Sequence, residues 1–119
     1  MIETIAGLPA NVVGFRVVGQ ITTSDYTDVL TPVVDAVIAR GEDVRIVLEF
    51  PEWTGMTPGA VWEDAKMGIQ RFTKWKRIAV VTDVDWMRHA VNLFGWMTPG
   101  DVKTFTLAER DDAITWPAD

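Results

Sequence analysis

The residues able to do chemistry in this 119-residue chain are few. Glu49, Asp83 and Asp85 follow or end apolar runs, where carboxylates can gather to hold Mg²⁺ or to move a proton. No motif orders them into such a cluster. Asp83-Val84-Asp85 is more often a helix cap followed by a first-turn acid. His89 is the single histidine, and no Ser pattern marks a nucleophile for it to activate. With no cysteine, a thiolate metal site and a disulfide framework are both excluded. The expectation is a protein that is not an enzyme and needs no metal or cofactor.

The remaining composition narrows the class. A net charge of −6 argues against nucleic acid, whose binding is dominated by phosphate neutralisation. No apolar run is long enough to cross a bilayer, and the N-terminus lacks the basic-then-apolar pattern of a signal peptide. A cytoplasmic location is expected. The length suits one domain, residues 1–119, with no internal linker or low-complexity segment.

The elements that must position those residues follow from periodicity. Ile2 to Ala6 and Val12 to Gln20 read as strands joined by the turn Gly7-Leu8-Pro9-Ala10-Asn11, so they should pair antiparallel. Thr22-Thr23-Ser24-Asp25 opens a first helix that ends at Gly41, with Pro32 expected to bend it. Val44 to Phe50 is a strand, and Pro51 to Met56 reads as a loop. Thr57 is the expected N-cap and Pro58 the first residue of a second helix reaching about Thr73. Its inner stripe would be Val61, Ala65, Gly68, Ile69 and Phe72, with Met67 outside. Arg77 to Thr82 holds the continuous apolar run of a strand covered on both faces. A third helix runs from Asp83 or Asp85 to about Met97, with Trp86, Met87, Ala90, Val91, Leu93, Phe94 and Met97 inward. A last strand, Val102 to Leu107, precedes a short terminal helix, Ala108 to Trp116. The fold class is therefore α/β: a five-stranded mixed sheet in the order ββαβαβαβα, with about four helices and right-handed parallel crossovers.

Two constellations could bind. The carboxyl ends of the parallel strands gather Thr22 to Asp25, Pro51 to Gly59 and Thr82 to Asp85, where helix starts can hold an anion. The plainer reading there is capping by Thr22, Thr57 and Asp83. The second lies on the second and third helices. Trp62, Met67, Phe72, Trp75, Trp86, Phe94, Trp96 and Met97 accompany the basic run Lys66, Arg71, Lys74, Lys76 and Arg77. Aromatic bodies beside Lys and Arg suit a membrane interface or a greasy cleft, although core packing also explains Trp62, Phe72, Trp86 and Phe94. If the two helices part, Trp62, Ile69, Phe72, Trp86, Ala90 and Phe94 would line an apolar ligand site. Lys66, Met67, Arg71, Lys74, Trp75, Trp96 and Met97 would then face an anionic membrane or a partner, including a second copy of the chain.

Several strings, taken together, resemble the SpoIIAA-like family, a branch of the STAS domains. They are Gly7-Leu8-Pro9 with Asn11-Val12-Val13, Val47-Leu48-Glu49-Phe50, Gly59-Ala60-Val61-Trp62-Glu63-Asp64, Arg77-Ile78-Ala79-Val80-Val81, and Phe94-Gly95-Trp96-Met97-Thr98-Pro99-Gly100. The resemblance spans essentially the whole chain. It implies a STAS-like fold, no established enzymatic activity, and a role as a regulatory protein-binding module or small-ligand sensor. It also implies apolar, lipid-like ligands and peripheral contact with the inner membrane, through a fold similar to lipid-carrying CRAL-TRIO domains. Sporulation-type anti-sigma-factor antagonists carry a phosphorylatable Ser at the start of the helix after the third strand. Here that stretch, Thr54 to Gly59, has no Ser, which leaves Thr54 and Thr57 as the candidate phosphorylation or anion residues. The expected function is a non-enzymatic domain that binds a small apolar or amphipathic ligand between the second and third helices and touches membranes transiently. The alternative is a protein-interaction regulator acting through the same aromatic surface.

Overall fold

A turn through Gly7, whose φ of 77° suits glycine, folds β1 (Ile2–Thr4) back along β2 (Val13–Ile21). The pair is antiparallel, with Ile2 opposite Val17. The computed structural model describes residues 1–94 and 100–119, without the side chains of Met56, Phe72 and Phe94. These residues form one five-stranded sheet in the order β1-β2-β3-β4-β5, with β3 at Val44–Met56, β4 at Trp75–Val81 and β5 at Asp101–Phe105. The pairs from β2 onward are parallel. Every parallel step moves to the next strand in the same direction, so right-handed crossovers place their helices on one face of the sheet.

The first helix is built in three parts. Thr23–Asp25 (α1) is α-helical, Tyr26–Leu30 is a π turn, and Thr31–Ala39 (α2) is α-helical again. The expected bend at Pro32 is met by this π turn just before it. The Thr31 N–H reaches back five residues to the Tyr26 carbonyl. Widening the turn there accommodates a ring that would crowd the carbonyl four residues earlier. The helix ends as expected at Gly41 (φ 79°). The Gly41 N–H donates to Ile38 O and the Glu42 N–H to Val37 O, closing the last turn.

β3 is longer than its apolar run. Pro51 to Met56, expected to be loop, continues the strand. Two register shifts against β2, between Arg16 and Val18 and between Gly19 and Gln20, absorb the extra residues. Bulges tolerate Pro51 because ladder bonding is interrupted there. The β4 pairing stops at Glu49 opposite Val81, so the extension is bonded to β2 alone. α3 (Pro58–Gln70) starts as expected, with the Thr57 hydroxyl accepting the Ala60 N–H at 3.2 Å. It stops earlier than expected, and a 3₁₀ turn over Phe72–Lys74 leads into β4. Trp75 therefore belongs to a strand.

The two sheet faces bury different clusters. The crossover face holds Phe15, Val17, Ile21, Val34, Val44 and Ile46. The opposite face holds Val12, Val47, Ala79, Val81 and Phe105 beneath Ala113 of α5 (Arg110–Thr115). Glu49 lies on this second face, only 3% exposed, between Arg16 (Nε–Oε2 3.2 Å) and Arg110, whose Nε meets Oε1. Arg45 and Arg77 donate to the carbonyls of Pro117 and Trp116, which fastens the C-terminal turn onto the sheet.

Candidate functional site

The crossover face does not close. α3 is drawn toward the β2 side by four contacts. Gly59 lies so close to Thr23 that a Cβ there would stand 2.2 Å from its hydroxyl. The Tyr26 hydroxyl donates to Asp64 Oδ1 at 2.8 Å, and Thr31 Oγ1 meets Met67 Sδ at 3.6 Å. Arg71 grips Asp35 of α2 with two bonds, at 2.6 and 2.9 Å. α4 (Asp85–Phe94) instead lies along β5, where Asn92 accepts from Thr104. The gap left above β3 and β4 is a cavity of about 590 Å³.

Sheet residues such as Val17, Ile46, Leu48, Phe50 and Ile78 line this cavity. Met67, Gly68 and Ile69 of α3 and Met87 and Val91 of α4 flank it, with Trp53 and Trp75 contributing indole surface. The β3 extension is what carries Trp53 there. The Trp53 ring also packs on Trp86, with centroids 5.4 Å apart. Among the described residues, the buried Trp53 indole N–H has no acceptor.

Among the described lining residues two side chains are ionisable, Tyr26 and Asp64. Burial first, and then the Asp64 charge and hydrogen bond, push the Tyr26 phenol far above its ordinary value. It therefore stays a proton donor to Asp64. Desolvation raises the Asp64 carboxyl, while the Tyr26 hydrogen bond works the other way. Asp64 remains open to solvent at the cavity mouth.

The expected helix faces are corrected by this arrangement. Met67, expected outside, is 6% exposed and packed inward. The tethers at Gly59, Asp64 and Arg71 turn its face toward α1 and α2. The stripe expected to be core is correspondingly open: Ile69 is 76% exposed and Val61 is exposed with it, as is Trp62 at 67% beside them. On α4, Met87 is buried, but Trp86 and Leu93 are exposed at 60% and 64%.

Of the six expected ligand residues, Ile69 lines the cavity, whereas Trp62, Trp86 and Ala90 are not among its lining. The side chains of Phe72 and Phe94 lie outside the described residues. Of the expected surface residues, Lys66 and Lys74 are exposed, and Lys66 pairs with Glu63 at 3.3 Å. Trp75 is half-buried in the cavity wall, because it is a strand residue facing the crossover side. Trp96 and Met97 lie outside the described residues. The basic run is not one patch. Arg71 is spent on Asp35, and Arg77 reaches the opposite face, where its guanidinium stacks 5.0 Å from the Trp116 ring.

The polar candidates separate as well. Thr57 caps α3, and Thr54 is exposed in the bulged extension. Glu49, Asp83 and Asp85 do not converge. Glu49 is held by two arginines, Asp83 Oδ1 accepts the Leu107 N–H at 3.0 Å, and Asp85 begins α4. His89 is exposed. Sequence reasoning missed Tyr26, Trp53 and Asp64 as site residues. Tyr26 recurs at helical spacing with Val29, Leu30, Val33, Val34, Val37 and Ile38, so it was legible only as one member of the first helix's apolar face. Asp64 gave a weak signal, an acid on the same helix face as Val61, Ala65 and Gly68.

Fold and site together define an α/β sheet with an open apolar cavity on its helical face. The chain matches the SpoIIAA-like family over residues 12–117, and it belongs to that family. An uncharacterized protein of the DUF3478 family from Shewanella loihica PV-4, solved at 2.25 Å with a SpoIIAA-like fold, is similar in structure. The TM-score is 0.81 at 24% identity, covering 97% of this chain and 92% of that one. No curated protein matches the chain. The SpoIIAA-like, STAS-type fold points to a regulatory or binding domain. Among the described residues no helix is long and apolar enough to cross a membrane.

Proposed function

We propose that this chain is a non-enzymatic domain that takes a small apolar or amphipathic, lipid-like ligand into the cavity beneath α3 and α4. The observation that carries this reading is the cavity itself. Its volume of about 590 Å³ lies within the range of small-molecule sites, and its walls are aliphatic and aromatic with few polar groups. Exposed Trp62, Ile69, Trp86 and Leu93 lie on the two flanking helices, with Lys66 and Lys74 nearby in the chain. They support transient contact with an anionic membrane surface during loading, by a cytoplasmic protein that works peripherally.

Native mass spectrometry of the purified chain, with co-sedimentation on phosphatidylglycerol vesicles, tests the proposal. The expected result is a lipid-sized adduct and vesicle binding that weakens with salt. A bare mass together with no vesicle binding would contradict it. The same exposed side chains favour a second reading, a surface for a protein partner or a second copy of the chain. A stable dimer by sedimentation that loosens in Trp86→Ala, with an empty cavity, would support that reading instead.

A further inference from the structure

We propose that the cavity selects single-chain amphiphiles by their head group, a protonated amine first, an alcohol second and a carboxylate last, with Asp64 binding the head. This deepens the ligand-binding reading above and rests on it. Apart from the Tyr26 phenol, Asp64 is the sole ionisable side chain among the described lining residues. Its Oδ1 takes the Tyr26 hydroxyl at 2.8 Å. Among the described residues no hydrogen bond or ion pair reaches Oδ2. One carboxylate oxygen therefore keeps its acceptor capacity at the mouth of a chamber with mostly aliphatic and aromatic walls.

A carboxylate set among apolar walls loses part of its hydration. A head that donates hydrogen bonds restores it, and a positive charge makes those bonds shorter and stronger. The tail then covers Leu48, Phe50, Met67 and Val91, which a bare amine in water leaves exposed. A fatty-acid head has the opposite fate. It brings a like charge to Asp64 and meets no Lys or Arg among the described lining residues. The nearest cations in the sequence are committed elsewhere, Lys66 to Glu63 and Arg71 to Asp35.

The test compares dodecylamine, dodecanol and dodecanoate on the whole chain and on Asp64→Asn. Tryptophan fluorescence reads binding at neutral pH, in salt that cuts the screening length to about 8 Å. Wild type is expected to bind the amine about tenfold more tightly than dodecanoate, with the alcohol between. In Asp64→Asn the amine and the alcohol should come within about twofold of each other, chiefly because the amine loses affinity. The substitution removes one charge from a net −6, so general attraction of cations to an acidic protein survives it. Dodecanoate binding as tightly as the amine, or an amine preference that persists in Asp64→Asn, would overturn the head-group inference while leaving the ligand-binding reading intact. If none of the three binds, the ligand-binding reading falls and this inference falls with it.

Discussion

Asp64 and Glu49 show how differently two carboxylates can be used in one fold. Glu49 is buried between Arg16 and Arg110 and ties β2, β3 and α5 together. Among the described residues Asp64 has a single neutral donor, Tyr26, and no cation. Its carboxyl is raised, chiefly by desolvation. A group whose folded value is raised gives stability below its unfolded value, about 3.9, and loses it as pH rises through the folded value. At neutral pH the ionised Asp64 therefore opposes folding, and an uncharged amide should not. Asp64→Asn is predicted to have a higher urea midpoint than wild type at neutral pH, with the advantage fading below about pH 3.9. A lower midpoint at neutral pH would show that the carboxylate is a structural partner of Tyr26 and not a strained binding group. A residue that costs stability while facing an open cavity is the pattern expected of a functional site.

At the scale of elements, strand faces were legible and helix orientations were not. The alternation in β3 puts Val44, Ile46, Leu48 and Phe50 on one side and Val47 and Glu49 on the other, as the structure shows. Strand faces are set by a period of two, which leaves little freedom. A helix stripe such as Val61, Ala65, Gly68 and Ile69 says which residues share a face but not what that face meets. Tethers decide that, and the Arg71–Asp35 clamp has no local signature, because its members stand 36 positions apart. Asp35 is held below its ordinary value, first by the Arg71 hydrogen bonds. Its contribution is therefore present above the unfolded value, about 3.9, and is lost as pH falls through the lower folded value. Asp35→Asn should cost about 0.5 kcal/mol at neutral pH, since the pair is partly screened by solvent, and nothing at strongly acid pH. Denaturant melts at the two pH values check this, and an equal loss at both would exclude the ion pair as its cause. The Asp35 and Asp64 substitutions thus carry opposite signs at neutral pH.

For the molecule as a whole, the order of strands and helices and the mixed sheet were readable from the chain. They follow from short links, apolar periodicity and crossover handedness. The cavity was readable only in outline, as an apolar site that would open if the second and third helices parted. Its walls were not, because Trp53 reaches it through a bulged extension read as loop, and Trp75 through a strand that starts early. The central claim is that this space is a binding site and not a packing defect. Gly68 offers the most direct test. It stands inside α3, where glycine costs about 0.5–1 kcal/mol relative to alanine. It lines the cavity, and a Cβ there would meet nothing within 4 Å. Gly68→Leu should therefore fill the chamber without straining the helix. The measurement is dodecanol affinity by tryptophan fluorescence, set beside thermal stability. The account predicts a variant at least as stable as wild type that binds dodecanol about tenfold more weakly. A folded Gly68→Leu chain that binds dodecanol as tightly as wild type would contradict it.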